Sequence, residues 1–455
     1  MKAHPETTES ARNRAHDFIG NGKRMTSLSA RLFAVACLTA VAAASAAQPD
    51  MSLSDVRARY EKELFESVTP FWEEHSIDRE KGGFFSCLDR EGNVYDGVKQ
   101  MWMQAREVYM FAALYNSSYR KDRWLDIAKA GWDWCFAHGR KAPGSYRLVL
   151  DRRGRAVEDT PPGSADFTAC FVAMAAAELY LATGEKQYAD EAKACLAVYE
   201  ESCMRAEEPS TAFPARVVYR QLAHPMFRLN VMLVLERCGV GEYGREMDAA
   251  IAEMKLFTDR KTGLLFERRL PSGGIDFDSQ DGRFVNPGHS LEGLSFALHR
   301  IRKSKNADDL AWALAATRAL GEFAIDKEDG GLGHYRDGLG KPVAKFEAPL
   351  KVWWGNCEAS SAFLQAYELS GDKWFLDAFR SLDRYNFSHF KDPESPEWFA
   401  YTAPGGRQFH TYKGSRWKTF FHLPRHLLNV ICTIRRIEES SKGRGIRGEK
   451  PRTGR

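Results

Sequence analysis

Three stretches decide the architecture: LYNSSYRKDRWLDIAKAGWDW at residues 114–134, LYLATGEKQYADEAKACLAVY at 179–199 and AYELSGDKWFLDAFRSLDRYNF at 366–387. Each is the end of an apolar helix, then a short polar turn, then a second helix led by an aromatic residue. Weaker copies of this junction begin at Val234 and Leu298. Successive junctions lie roughly 60 residues apart, the kind of period that marks a repeat architecture rather than separate domains.

Counting on that ruler gives six helix pairs. Inner members are expected near residues 100–116, 166–182, 222–238, 287–303, 350–369 and 421–438. Outer members are expected near 53–76, 121–138, 185–203, 241–257, 306–326 and 372–388. Twelve antiparallel helices predict an all-α (α/α)6 barrel, with an open solenoid as the alternative. The Gly-rich connector at 78–97 is expected to form short strands over one mouth, and an aromatic content of 12% suits a sugar-stacking cavity inside.

The 455-residue chain is 44% hydrophobic, ample for one large core, and its net charge of +4 gives no basic face for nucleic acid. Part of that charge sits in a polar tail, 439–455, expected to be disordered. At the other end, Lys23, Arg24 and Arg31 precede an apolar run from Leu32 to Ala44, with small residues at Ala44, Ser45 and Ala46. This reads as a secretory signal within residues 1–47, too short for a membrane span, and predicts export to a periplasm with the barrel at 48–438. The eight cysteines beyond it form no C-x-x-C and lie mostly among apolar residues, as buried thiols do.

The polar residues inside the repeats then fall into a pattern. Arg106, His289, Glu292, Glu358, His422 and Arg425 all stand near the starts of expected inner helices. If alternate helices form the inner ring, those starts share one end of the barrel and deliver two histidines, two carboxylates and two arginines to one pocket. His289 and Glu292 share a helix face at i and i+3, where a carboxylate can orient an imidazole. A capping pair is the plainer reading of that segment alone.

These words carry a family resemblance. KGGFFSCLDREGNVYDGVKQMWMQAR (81–106), AHPMFRLN (223–230), NPGHSLEG (286–293), KVWWGNCEA (351–359), DPESPEWFAYTAPGG (392–406) and KTFFHLPRHL (418–427) resemble, in order, the N-acylglucosamine 2-epimerase family, also called renin-binding proteins. The resemblance covers about residues 53–437 and implies an (α/α)6 barrel that interconverts sugars differing at C2. It implies His289 and His422 as the paired catalytic histidines, one base for each face of the carbon. Arg106 would hold sugar oxygens and counter enolate charge, and Glu292 and Glu358 would orient the imidazoles or assist ring opening. Of Trp353 and Trp354, at most one can face the pocket, and Trp353 is assigned to the sugar.

The acylglucosamine-like P-M word at Pro225–Met226 favours an N-acetylglucosamine/N-acetylmannosamine substrate over mannose or cellobiose. Two-base chemistry requires no metal and no cofactor. A nucleotide activator, common in that branch, is left open, since the chain has no phosphate loop and its one G-x-G-x-x-G, Gly239 to Gly244, joins two helices. A homodimer is open too. The rival functions are a glycoside hydrolase or lyase using Glu292 and Glu358, and a non-catalytic sugar- or protein-binding barrel.

Overall fold

The computed structural model describes residues 51–161, 163–206, 208–209 and 217–448, with backbone alone at 208–209 and 443–448. The expected secretory signal and residues 449–455 of the expected tail lie outside the described residues. From Ser52 onward the chain forms one compact unit.

Twelve helices alternate through it. Helix α1 runs as Leu53–Lys62, a π-helical segment Glu63–Val68, and Thr69–His75. There follow α2 (Met101–Tyr115), α3 (Asp122–Trp134), α4 (Phe167–Thr183), α5 (Lys186–Arg205), α6 (Ala223–Arg237), α7 (Gly244–Lys255), α8 (Pro287–Ser304), α9 (Ala307–Ala324), α10 (Trp353–Ser370), α11 (Lys373–Tyr385) and α12 (His422–Gly448). These are the six pairs of the sequence ruler, and Gly239 does lie between two helices.

Burial separates the two rings. Outer α11 buries one stripe, Phe375, Ala378, Phe379 and Leu382, the i, i+3, i+4, i+7 spacing of an amphipathic helix. Inner α4 is buried almost all round, and its Ala173, Ala175, Ala176 and Ala177 let neighbouring backbones approach closely. Each even-numbered helix packs on the next, from α2 to α12. The ring closes where α12 packs on α1, where Phe421 meets Tyr109 at 5.6 Å between ring centroids, and where Arg435 donates to Ser118 Oγ at 3.0 Å.

Short antiparallel strands lead directly into several inner helices. Lys99–Gln100 pairs with Val149–Leu150 just before α2, Phe284–Val285 with Arg336–Asp337 before α8, and Lys351–Val352 with Tyr401–Thr402 before α10. Within the Gly-rich connector, Cys87–Leu88 pairs with Val94–Asp96. Each pairing fixes where the following helix starts, and so where its first turn delivers side chains.

A finer repeat follows four outer helices. Asp78, Asp259, Asp326 and Asp392 each open a turn, closed in the four cases by the bridges Ile77 to Phe84, Thr258 to Leu265, Ile325 to Leu332 and Lys391 to Trp398. Three of these aspartates also hold a buried lysine: Lys99 at 3.0 Å, Lys351 at 3.1 Å and Lys413 at 2.8 Å. Removing one partner of such a pair would strand a buried charge, which makes these pairs fixed braces of the rim.

The chain end corrects one expectation: α12 passes residue 438 and continues to Gly448, so 439–448 are helical rather than disordered. The hydroxyls of Ser440 and Ser441 donate to the carbonyls of Arg436 and Ile437, four residues back along the helix, at 2.8 and 2.9 Å.

Candidate active site

All six inner helices send residues from their first turns into one cavity of ≈ 580 Å³. They are Trp102 and Arg106 on α2, Phe167 and Phe171 on α4, His224 and Phe227 on α6, His289 and Glu292 on α8, Trp354 on α10, and His422 on α12. That volume suits a monosaccharide with room at the mouth.

Asn286 caps α8, its side-chain oxygen accepting from His289 N at 3.4 Å, and Pro287 supplies the first-turn geometry. His289 Nδ1 lies 2.9 Å from Glu267 Oε1. Glu267 is itself pinned by backbone bonds to Leu222 and Phe284, at 2.9 and 3.0 Å, between the approaches to α6 and α8. Burial lowers the pKa of His289, but the charge and hydrogen bond of Glu267, helped by Glu292, outweigh it and raise the group above 6.5.

His422 is built alike but ends differently. Its Nδ1 lies 2.8 Å from Glu358 Oε1, yet Arg425 Nη2 donates to Glu358 Oε1 and to Glu292 Oε1, both at 2.5 Å. The guanidinium offsets the carboxylate charge that would otherwise hold a proton on His422. Burial first, then Arg106 and Arg425, drive the pKa of His422 well below 6.5. A neutral His422 donating from Nδ1–H to Glu358 leaves the lone pair of Nε2 as its base.

Trp354 stands between the two, its ring 5.3 Å from the His289 ring and 5.6 Å from the His422 ring. Arg106 is buried with its Cζ 4.1 Å from the Phe171 ring, 4.6 Å from Trp102 and 4.7 Å from Phe421, and has no carboxylate partner among the described residues. Burial lowers its pKa to about 9 against the pull of Glu292 and Glu358. A stacked guanidinium without a counter-ion, lining a cavity, is an anion-stabilising group in waiting.

The structure thus brings Arg106, His289, Glu292, Glu358 and His422 together, and two expectations change. Trp353 does not face the pocket: it is 1% exposed, packs edge-on against Tyr401 at 5.8 Å and has Lys418 Nζ 5.8 Å from its ring. Its neighbour Trp354 forms the wall. Glu292 binds Arg425 rather than a histidine, and the carboxylate that orients His289 is Glu267, which sequence spacing did not single out. Among the described residues Glu292, Glu358 and His422 form one grouping of metal-ligating type, with Arg425 already spanning the two carboxylates.

The model of the N-acylglucosamine 2-epimerase (GlcNAc 2-epimerase) family matches residues 83–425, which contain every residue of this constellation but nothing of the amino-terminal extension. The chain belongs to that family. It is 34% identical to human N-acylglucosamine 2-epimerase over 384 residues, covering 79% of this chain and 86% of the human one. Cellobiose 2-epimerase of Dictyoglomus turgidum is 22% identical over 417 residues, 84% of this chain and 100% of that protein. The solved structure of cellobiose 2-epimerase from Spirochaeta thermophila superposes with a TM-score of 0.72 at 19% identity, covering 86% and 98% of the two chains. These 2-epimerases share the barrel, and the chain is an enzyme of the carbohydrate epimerase class.

Proposed function

We propose that the protein inverts C2 of an N-acyl hexosamine, interconverting N-acetylglucosamine and N-acetylmannosamine. The observation that carries this reading is the pair of imidazoles flanking Trp354, each held by a glutamate at Nδ1 and driven in opposite directions from 6.5. The greater identity to the N-acylglucosamine enzyme than to the cellobiose enzyme supports the N-acyl substrate.

In the opened sugar the C1 carbonyl acidifies the C2 proton. The neutral histidine, His422 at rest, takes that proton at Nε2, and the electron pair of the C2–H bond passes to the C1 oxygen as an enolate. Arg106 faces the growing negative charge. The charged histidine, His289 at rest, then returns a proton to the opposite face of C2. The reverse reaction uses the exchanged charge states. On this reading no metal, nucleotide or other cofactor takes part in either proton transfer. Glu292 and Glu358, both tied to one Arg425 nitrogen, are poorly placed to work as separate acid and nucleophile of a glycosidase.

Proton NMR in deuterium oxide tests this, with N-acetylmannosamine, N-acetylglucosamine, mannose and cellobiose in separate tubes. The expected result is loss of the C2 proton signal and appearance of the C2 epimer with the N-acyl sugars. His289→Ala and His422→Ala are each expected to lower the rate by about 10²–10⁴-fold. Exchange confined to mannose or cellobiose would move the substrate, and no exchange with any sugar would sink the reading. We also infer that residues 1–47 direct export. The mature protein then lacks this segment, and an intact Met1 or Met25 on amino-terminal sequencing would refute that.

A further inference from the structure

Beside the two imidazoles of the proton transfers the cavity is lined by two more, His224 and His334, and the ring of His334 is the one held by aromatic contacts to the catalytic wall. His334 precedes the strand Arg336–Asp337, lines the cavity and is 6% exposed. Its ring stacks on Tyr335 at 3.7 Å and 24° and meets Trp354 edge-on at 6.0 Å and 83°, so its plane is fixed on two sides. Trp354 is the indole that both flanking histidines touch. Nδ1 of His334 is buried and has no hydrogen-bond partner among the described residues, while the residue itself lines the cavity. Burial, with His289 and Lys345 nearby, holds the pKa at about 3, so the ring is neutral wherever the protein works.

A rigid, neutral imidazole with a single N–H suits an uncharged oxygen acceptor, and an amide carbonyl is the strongest of these on an N-acyl sugar. On the epimerase reading the reacting carbon lies between His289 and His422, which both contact Trp354, and His334 meets that same indole edge-on. We propose that His334 is a specificity-determining residue that donates a hydrogen bond to the carbonyl oxygen of the sugar's acetamido group. The assignment rests on the epimerase reading above, which supplies the position of C2.

The test is calorimetric binding of N-acetylmannosamine and of mannose to the unmodified protein, His334→Phe and His334→Gln, alongside C2 exchange by NMR. His334→Phe keeps an aromatic ring and removes both nitrogens. It is expected to weaken N-acetylmannosamine binding about tenfold, leave mannose unchanged, and appear in KM rather than kcat. His334→Gln, which keeps a donor, should restore part of the loss and serves if the Phe variant fails to fold. Equal affinities in all three proteins, equal losses for both sugars, or a fall in kcat at constant KM would each overturn the assignment. C2 exchange by the unmodified protein with unchanged affinity in His334→Phe would overturn this inference alone. No exchange and no binding would sink both readings.

Discussion

His289 at the start of α8 and His422 at the start of α12 both present Nδ1 to a glutamate, at 2.9 and 2.8 Å, but the glutamates differ in what else they hold. Among the described residues Glu267 has no cation of its own, and its second oxygen is buried without a partner. Glu358 shares Arg425 with Glu292. The lesson is that a carboxylate beside an imidazole does not fix the charge of the imidazole. What fixes it is the sum of the surroundings: at His422 burial, Arg106 and the Arg425 that has claimed Glu358 together depress the imidazole, whereas at His289 the unclaimed Glu267 outweighs burial.

Removing that arginine attacks the comparison hardest. Arg425→Met leaves Glu292 and Glu358 buried without their counter-charge, and is expected to cost about 3–5 kcal/mol of stability, read by denaturant unfolding. In whatever fraction folds, Glu358 regains its pull on His422, so the acid limb of the kcat/KM profile should move to higher pH. An unmoved acid limb would break the account of His422.

Sharpening comes from the other pair. His422 must be neutral and its pKa is depressed, so activity falls as pH drops through a value well below 6.5. His289 must be charged and its pKa is raised, so activity falls as pH rises through a value above 6.5. A plateau spanning 6.5 is expected, bounded by one ionisation on each side. Glu267→Gln removes the charge that raises His289, and the alkaline limb should move down by about one pH unit while the acid limb stays. Movement of both limbs together would mean that the two pairs are not independent.

The smallest effects separate the two tryptophans. Trp354→Leu should raise KM about fivefold through lost ring contact with the sugar and leave the fold intact. Trp353→Phe should cost about 1 kcal/mol in stability with KM unchanged. The opposite pattern would return Trp353 to the pocket.

Much of this was legible in the sequence because it depends on local spacing. The aromatic-led junctions at Tyr119–Trp124 and Asp372–Phe375 repeat, and helices that bury one face or all faces read differently in an apolar pattern. His289, His422 and Arg106 were legible because each stands in the first turns of an inner helix. Glu267 and His334 were not, since they reach the pocket on loops from other repeats, and only the ring geometry sets them beside His289. Trp353 and Trp354 differ by one residue, roughly 100° around a helix, and only Tyr401 and Lys418 decide which of them turns inward. The tail misled because its composition is polar, whereas its backbone continues a long helix whose earlier turns are anchored by Arg436 on Glu368 at 2.6 and 2.9 Å.

Six inner helices begin at one cavity, and that shared direction has an electrostatic consequence. Each helix carries a macrodipole with its positive end at the first turn, equivalent to roughly half an elementary charge. Six such ends converge on the place where the sugar would carry negative charge, and at the opposite, negative ends of α6 and α8 the last turns carry Arg237 and Arg302. The barrel as a whole is thus polarised along its axis, favouring an enolate in the cavity through a field that no single substitution can remove.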